Sequence, residues 1–322
     1  MMILNSEEID RLVDRTELIQ AVEEAFRIHS AGNFEMPARA HVDYGNKTFL
    51  SMPCFTDTAF GAKLVSLVPA NAEKGLPPTH GIVLLNDGTT GEPVAVMNGA
   101  TITALRTSAV GALSIKYLAD INASHLGVIG AGVQGLNQPL FACAVRKFTD
   151  IHIYDRREKV LDDLAHKLAA LLPGIRIIAE KTSLDVLNHA EVLITVTNTE
   201  TPLFPDDRAL FKNKHFTAIG SYKPSMREYP EAVFRNLSCL LVDTEHALQE
   251  TGDVITPLEK GWISREQVIP FDKVVTGGLR NTANENRVTF FKSVGMALFD
   301  IVTAKLIYTK AKQKGCGTEV RF

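Results

Sequence analysis

Apolar positions along the chain fall into two textures. In the first third they come as short β-prone runs, at 41–44, 48–52, 61–68, 81–85 and 93–97, separated by Asn46, Pro53, Asn71, Gly75 and Asp87-Gly88. Short runs punctuated by turn residues predict an antiparallel meander. Two helices precede it. One opens at Ser6-Glu-Glu-Ile-Asp, where Ser6 reads as the cap and the acids favour the first turn. The other spans 15–30, with Leu18, Val22, Ala25 and Phe26 on one face and Gly32 and Pro37 as stops. A further helix is predicted over 101–118.

From Leu126 the texture changes. Apolar strands recur at 126–129, 151–154, 175–178, 192–196, 216–219 and 240–242, with helical segments between them such as 158–172. This alternation predicts an α/β fold with a Rossmann-type, doubly wound parallel sheet beside a second, smaller α/β domain. The spacing of Val288, Phe291, Val294, Leu298, Ile301 and Val302 predicts one last long helix near 286–309. Packed back on the first third, it makes that domain discontinuous: residues 1–118 with 292–322, around a parallel-sheet domain at 119–291. The basic, glycine-punctuated stretch at 310–317 reads as a solvated end.

The strand at 126–129 leads into Gly130-Ala-Gly-Val-Gln-Gly135, a GxGxxG turn that opens a helix. Gly130 permits the tight turn, Gly132 lets backbone approach a pyrophosphate, and Gly135 lets helix and strand pack closely. Val133 and Gln134 lie in the first helical turn, whose N–H groups face an anion. The next strand ends at Asp155, placed to accept from ribose hydroxyls, and Arg156 and Arg157 follow as partners for a 2′-phosphate. Strand, turn, helix, strand and acid in this order predict a dinucleotide, NAD(H) or NADP(H). Thr195, Thr197 and Asn198 fall at the carboxyl end of the fourth strand and Ser221 follows the fifth, where small polar groups line such a cofactor. Pro139, past the first turn of the glycine-turn helix, is expected to kink it.

Composition narrows the partners. The 322 residues suit two ordinary domains, and 45% hydrophobic with 22% charged residues is a normal globular balance. A net charge of −3 gives no general attraction to nucleic acid or to an anionic membrane. No apolar run approaches the roughly 20 residues of a transmembrane helix, and the start of the chain does not read as a signal peptide. Cys54, Cys143, Cys239 and Cys316 show neither CxxC pairing nor zinc spacing, which fits a reducing cytoplasm and no metal.

Three cations stand out in the first domain. Arg39 precedes a strand, Lys63 interrupts an apolar strand, and Arg106 sits in Ala104-Leu-Arg-Thr-Ser-Ala among small and apolar residues. A cation in an apolar setting needs an anion or shifts its pKa. A small carboxylate substrate would supply that anion. His80 is a loop histidine near a strand start. Glu228 and Asp243 each end a segment, and spacing alone does not separate a site acid from a helix cap.

With these pieces together the chain resembles the ornithine cyclodeaminase/mu-crystallin family over nearly its full length. The resemblance rests on Met36-Pro-Ala-Arg39, Gly61-Ala-Lys63-Leu-Val, Gly91-Glu-Pro-Val-Ala-Val-Met, Ala104-Leu-Arg106-Thr-Ser-Ala, the glycine turn, Thr195-Val-Thr-Asn-Thr and Phe291-Lys-Ser-Val-Gly. It implies a Rossmann domain plus a smaller domain whose sheet forms a homodimer interface, and a small amino or cyclic imino acid held through its carboxylate by Arg39, Lys63 and Arg106. In the cyclodeaminases a catalytic Asp follows the fifth strand; Tyr222 stands at that place here, in Ile219-Gly-Ser-Tyr-Lys-Pro. That form resembles the Δ1-pyrroline-2-carboxylate reductase branch. The expected reaction is therefore NAD(P)H-dependent reduction of Δ1-pyrroline-2-carboxylate, or its six-membered homologue, with Lys63 as the catalytic group at the imine nitrogen. Ornithine cyclodeaminase, an alanine dehydrogenase-like enzyme and a small-ligand binding protein of the mu-crystallin kind are the alternatives.

Overall fold

The computed structural model describes residues 1–278 and 288–321. The chain divides into two compact units, Met1–Arg106 with Met296–Phe322, and Thr107–Gly295. The first unit contributes strands β1 (Met2–Leu4), β2 (Phe34–Glu35), β3 (Ala40–Tyr44), β4 (Lys47–Thr56), β5 (Ala59–Leu67), β6 (Thr79–Asp87) and β7 (Pro93–Asn98). The second contributes β8 (His125–Ile129), β9 (Asp150–Tyr154), β10 (Arg176–Ala179), β11 (Val192–Thr195), β12 (Lys214–Ala218), β13 (Leu240–Val242), β14 (Val268–Pro270) and β15 (Val288–Lys292). Strand β16 (Thr318–Glu319) returns to the first unit.

The first unit's sheet runs β16-β1-β7-β6-β5-β4-β2, with β3 also on β4. From β3 to β7 each strand is antiparallel to the next, while β1 adds to β7 in parallel. Side chains alternate between the faces. Leu50, Met52 and Cys54 of β4 and Ala59, Lys63 and Val65 of β5 are buried on one face. The helix Ala297–Lys314 lies on that face against β4, β5 and β6, backed by the helix Arg15–Ala31. Phe26 and Phe299 meet edge-on between these helices, with centroids 4.9 Å apart. Phe49, Phe55 and Ile82 stay exposed on the other face.

The second unit's sheet is parallel throughout, in the order β10-β9-β8-β11-β12-β15-β13-β14. Chain order runs outward from β8 to β10 on one side and from β11 on the other, except that β15 is inserted between β12 and β13. The reversal lies between β8 and β11, and such a switch point opens a crevice at the carboxyl ends of the strands.

Several sequence expectations need correction. There is no long helix at 286–309: Val288–Lys292 is a central strand between β12 and β13, and the helix starts at Ala297. Every residue of that strand is buried, as a parallel strand covered on both faces must be. The expected helix start at 286–287 lies outside the described residues. The tail is exposed at 312–315 as expected, but it is ordered as the end of Ala297–Lys314, stopped by Gly315 at φ 62°, and then β16, which pairs with β1. Asn5, not Ser6, caps the first helix, in a reciprocal capping box with Glu8. Pro53 does not end a strand; it lies inside β4 between the stretches paired with β3 and β2. The unit boundary falls within the helix Gly99–Leu118 rather than after it. The later half of that helix is tied into the second unit by Ser114 Oγ, 2.7 Å from Thr217 Oγ1, and by Arg146, which donates to the Ile115 carbonyl at 3.2 Å.

Candidate active site

The first unit gathers two of the three sequence-singled cations on one acid. Lys63 Nζ lies 2.8 Å from Oδ2 of Asp300, and Arg106 Nε donates to Oδ1 at 3.0 Å. All three side chains are buried, Asp300 completely. Lys63 reaches the core face because β5 alternates, and Asp300 reaches it from the first turn of Ala297–Lys314. Burial pushes the Lys63 ammonium down to about 8, Asp300 opposes that shift, and Arg106 and Arg39 add to it by repulsion. Arg39 itself is half-buried. Cys54, also under the influence of Asp300, is pushed up to about 12, chiefly by burial, and so is no nucleophile.

Asp300 did not emerge from the sequence. Its signal was an acid in Leu298-Phe-Asp-Ile-Val, the polar interruption of an otherwise apolar helical face. One carboxylate cannot neutralise two buried cations. The cluster carries an excess positive charge in a low-dielectric setting, which favours an anion.

In the second unit Gly130 adopts φ 110°, and a Cβ there would stand 2.9 Å from the Val196 carbonyl oxygen. A Cβ on Gly135 would strike the Gly130 carbonyl at 2.0 Å, whereas one on Gly132 would meet nothing within 4 Å. Gly130 and Gly135 thus close the turn on itself, and Gly132 leaves its outer side open to a ligand. The following helix, Val133–Val145, has no side-chain cap at its N-terminus, so its first N–H groups suit a pyrophosphate. Val133 is 66% exposed beside this turn. Gln134 faces inward and accepts from Ser108 Oγ at 3.3 Å and from Gln138 Nε2 at 3.1 Å. These residues fit a dinucleotide.

Asp155 ends β9 as expected, but its carboxylate has partners. It accepts from the Ala131 N–H at 2.8 Å, the Arg157 N–H at 2.9 Å, and Arg157 Nε and Nη2 at 3.1 and 3.2 Å. Burial acts to raise its pKa, and the Arg157 and Ala131 contacts outweigh this and hold it below the ordinary value. Arg156 is exposed. Thr195 and Thr197 both donate their hydroxyls to Glu228, at 2.9 and 2.7 Å. Ser221 is fully buried, donating to the Met226 carbonyl and contacting Thr251 Oγ1. These three hydroxyls therefore point into the protein. Of the two undecided acids, Glu228 braces strand ends, and Asp243 accepts from Ser293 Oγ and from the Val294 and Gly295 N–H groups. His80 is exposed on β6, and Tyr222 is 46% exposed.

A chain of imidazoles and carboxylates, His125–Asp150–His152–Glu180–His189, was also not foreseen. Asp150 accepts further from Arg176 at 2.9 Å and Thr149 at 3.0 Å. Its carboxylate is saturated with donors, one of them a fixed cation, and these contacts hold it down at about 2 against the opposing effect of burial. This is a hydrogen-bonded file that runs from the amino ends of β8 and β9 through the middle of β9 to Glu180, just past β10, and His189 at the end of a helix.

The Δ1-pyrroline-2-carboxylate reductase of Bacillus cereus is 32% identical over 330 residues, covering 100% of both chains. Among solved structures, the Δ1-pyrroline-2-carboxylate reductase of Thermococcus litoralis, in complex with NADH and L-proline, superposes with a TM-score of 0.93 at 33% identity, covering 99% of this chain and 100% of that one. An archaeal alanine dehydrogenase dimer with bound NAD gives a TM-score of 0.93 at 29% identity, covering 100% of this chain and 99% of that one. The profile of the ornithine cyclodeaminase/mu-crystallin family matches residues 1–315. The chain belongs to the ornithine cyclodeaminase/mu-crystallin family.

Proposed function

We propose that this protein is an NAD(P)H-dependent reductase of Δ1-pyrroline-2-carboxylate, forming L-proline. The observation that carries the reading is the buried pair of cations, Lys63 and Arg106, sharing the single carboxylate of Asp300. Arg106 and Arg39 hold the substrate carboxylate. Lys63, fixed by Asp300 and with its pKa lowered to about 8, gives its proton to the imine nitrogen. A dinucleotide held by the glycine turn would supply the hydride that reduces the imine carbon. One hydride and one proton convert the C=N bond to an amine. The glycine turn would hold the pyrophosphate, Asp155 and Arg156 would serve the adenosine ribose, and Thr195, Thr197 and Ser221 would shape the loops beside the other half of the cofactor.

Tyr222, where the cyclodeaminases carry an Asp, supports reduction over deamination. The exposed apolar residues Phe49, Phe55 and Ile82 on the open sheet face support a homodimer formed through that face. The absence of a disulfide among Cys54, Cys143, Cys239 and Cys316 supports a reducing, cytoplasmic setting. Among the described residues no helix is long and apolar enough to cross a membrane.

A substrate screen tests the reading. NADH oxidation with Δ1-pyrroline-2-carboxylate is the expected result. Faster turnover of pyruvate with ammonia would favour an alanine dehydrogenase, and ammonia release from ornithine would favour a cyclodeaminase. Binding without any turnover would overturn the enzymatic reading.

A further inference from the structure

The loops at the carboxyl ends of β11 and β12 are joined by one buried acid. Glu228 is fully buried and accepts four hydrogen bonds. Oε1 takes the Thr197 N–H at 2.8 Å and the Thr197 hydroxyl at 2.7 Å. Oε2 takes the Thr195 hydroxyl at 2.9 Å and the Gly220 N–H at 3.1 Å. A Cβ on Gly220 would stand 2.0 Å from the Thr197 carbonyl oxygen and 2.7 Å from Glu228 Oε1, so the two loops meet backbone to backbone. Glu228 is itself held, because Asp253 Oδ1 accepts from the N–H groups of Glu228 at 2.9 Å and Tyr229 at 3.2 Å. Lys292, fully buried at the end of β15, lies 3.8 Å from the other Asp253 oxygen and offsets part of the charge of these acids. Four donors on a carboxylate exhaust its acceptor sites.

The place of this clamp in the sheet gives it a function. The switch point lies between β8 and β11, and a dinucleotide lying across it puts one mononucleotide on each side. Asp155 at the end of β9 marks the adenosine side. The other mononucleotide falls to the carboxyl ends of β11 and β12, which Glu228 ties together. The segment it pins also touches the glycine turn, since the Val196 N–H donates to Ile129 at 2.9 Å and its carbonyl faces Gly130.

We propose that Glu228 is a positioning residue for the nicotinamide half of the cofactor: it acts by fixing Thr197 and Gly220 and leaves the adenosine half to the glycine turn. This rests on the dinucleotide reading above. It predicts a split that general loosening of the fold does not produce. Glu228→Gln keeps the shape and the Thr197 bonds, but its amide presents N–H to the Gly220 N–H and opens that side of the clamp. Calorimetric titration of the whole protein with NADH and with ADP-ribose, which lacks nicotinamide, reads the split. Expected are a loss in NADH affinity of tenfold or more, a matching rise in KM for NADH, and an ADP-ribose Kd within twofold of the parent protein. Thr195→Val, which removes one hydroxyl donor without changing shape, should shift NADH in the same direction by about threefold and keeps the test available if Glu228→Gln does not fold. Equal weakening of both ligands, or no change in either, overturns the assignment. A parent protein that binds neither ligand overturns the dinucleotide reading, and the assignment with it.

Discussion

Two buried charged clusters, one in each unit, are built from the same kinds of residue and do different things. In the first unit Lys63 and Arg106 converge on Asp300, two cations on one acid. In the second, Glu228 and Asp253 accept from backbone N–H groups and hydroxyls, with Lys292 as counter-charge. The second cluster braces loops: both oxygens of Glu228 and one of Asp253 are spent on the chain's own donors, and the other Asp253 oxygen faces Lys292 at 3.8 Å. The first is open: its excess charge is positive, two cations on one acid, and a ligand anion can supply what is missing. Burial alone separates neither, since all of these side chains are buried. The sign of the excess charge and the ownership of the donors separate a ligand site from a scaffold.

The comparison is tested most severely at its two central acids. Asp300→Asn leaves two buried cations without their counter-ion, and Asp253→Asn weakens the balance around Lys292. Breaking a buried pair from one side costs about 3–5 kcal/mol, so chemical denaturation should show a loss of that order for each variant. Saturating L-proline then distinguishes them. Its carboxylate can replace the lost anion in the open cluster, so the Asp300→Asn deficit should narrow by about 1 kcal/mol or more. The Asp253→Asn deficit should not move. If added L-proline leaves both deficits unchanged, the first cluster is a scaffold too.

Next in size is Arg106→Ala. Losing one partner of a buried charge-assisted contact costs about 2–5 kcal/mol. The KM for the imine acid should rise by roughly thirtyfold or more, while NADH affinity stays near the parent value. Near-normal imine kinetics would remove Arg106 from the site.

The sequence carried much of this division, and its failures have physical causes. Lys63 and Arg106 were visible because a cation in an apolar run is costly. Asp300 was hidden because the helix that bears it was merged with the strand Val288–Lys292. Val288, Phe291, Val294, Leu298 and Ile301 happen to fall at helical spacing across both elements. The break was present at Gly295, which adopts φ 80°, and in the β-prone run Val-Thr-Phe-Phe. Glu228 was visible as an acid but undecidable, because its four donors come from residues 195, 197 and 220, which only the fold brings to it. The parallel sheet from β8 to β13 and its glycine turn were legible, since strand, turn and acid are local features; β14 and β15 were not. A carboxylate's partners are not local.

Protonation gives the next test. The Lys63 ammonium has been lowered to about 8, so its protonated, donating form is present at neutral pH and is lost as pH rises through that value. The rate of imine reduction at low substrate should fall above about pH 8, approaching tenfold per pH unit. Lys63→Arg keeps a cation but cannot lose its proton in this range, so any residual activity should lack the inflection. A parent profile flat to pH 9.5 would show that the proton comes from elsewhere.

The smallest effect concerns a third acid, intermediate between the two clusters. Asp155 looks like a cofactor acid from sequence, yet it already accepts from Ala131 and from three nitrogens of Arg157. A ribose 2′-hydroxyl must therefore compete with the Arg157 side chain, which is 59% exposed and swings away at little cost. While paired, Arg157 also offsets the repulsion that Asp155 would exert on a 2′-phosphate, and Arg156 stands beside it. The parent protein should accordingly use NADH and NADPH with a ratio of kcat/KM within about tenfold, or 1.4 kcal/mol, leaning to NADH. Arg157→Ala frees the carboxylate and should raise the NADH preference by a few-fold. Asp155→Ala should move it the opposite way, weakening NADH use and improving NADPH use. A ratio unmoved by either substitution would make Asp155 a scaffold acid like Glu228, spent on its own chain, and would leave cofactor choice to Arg156.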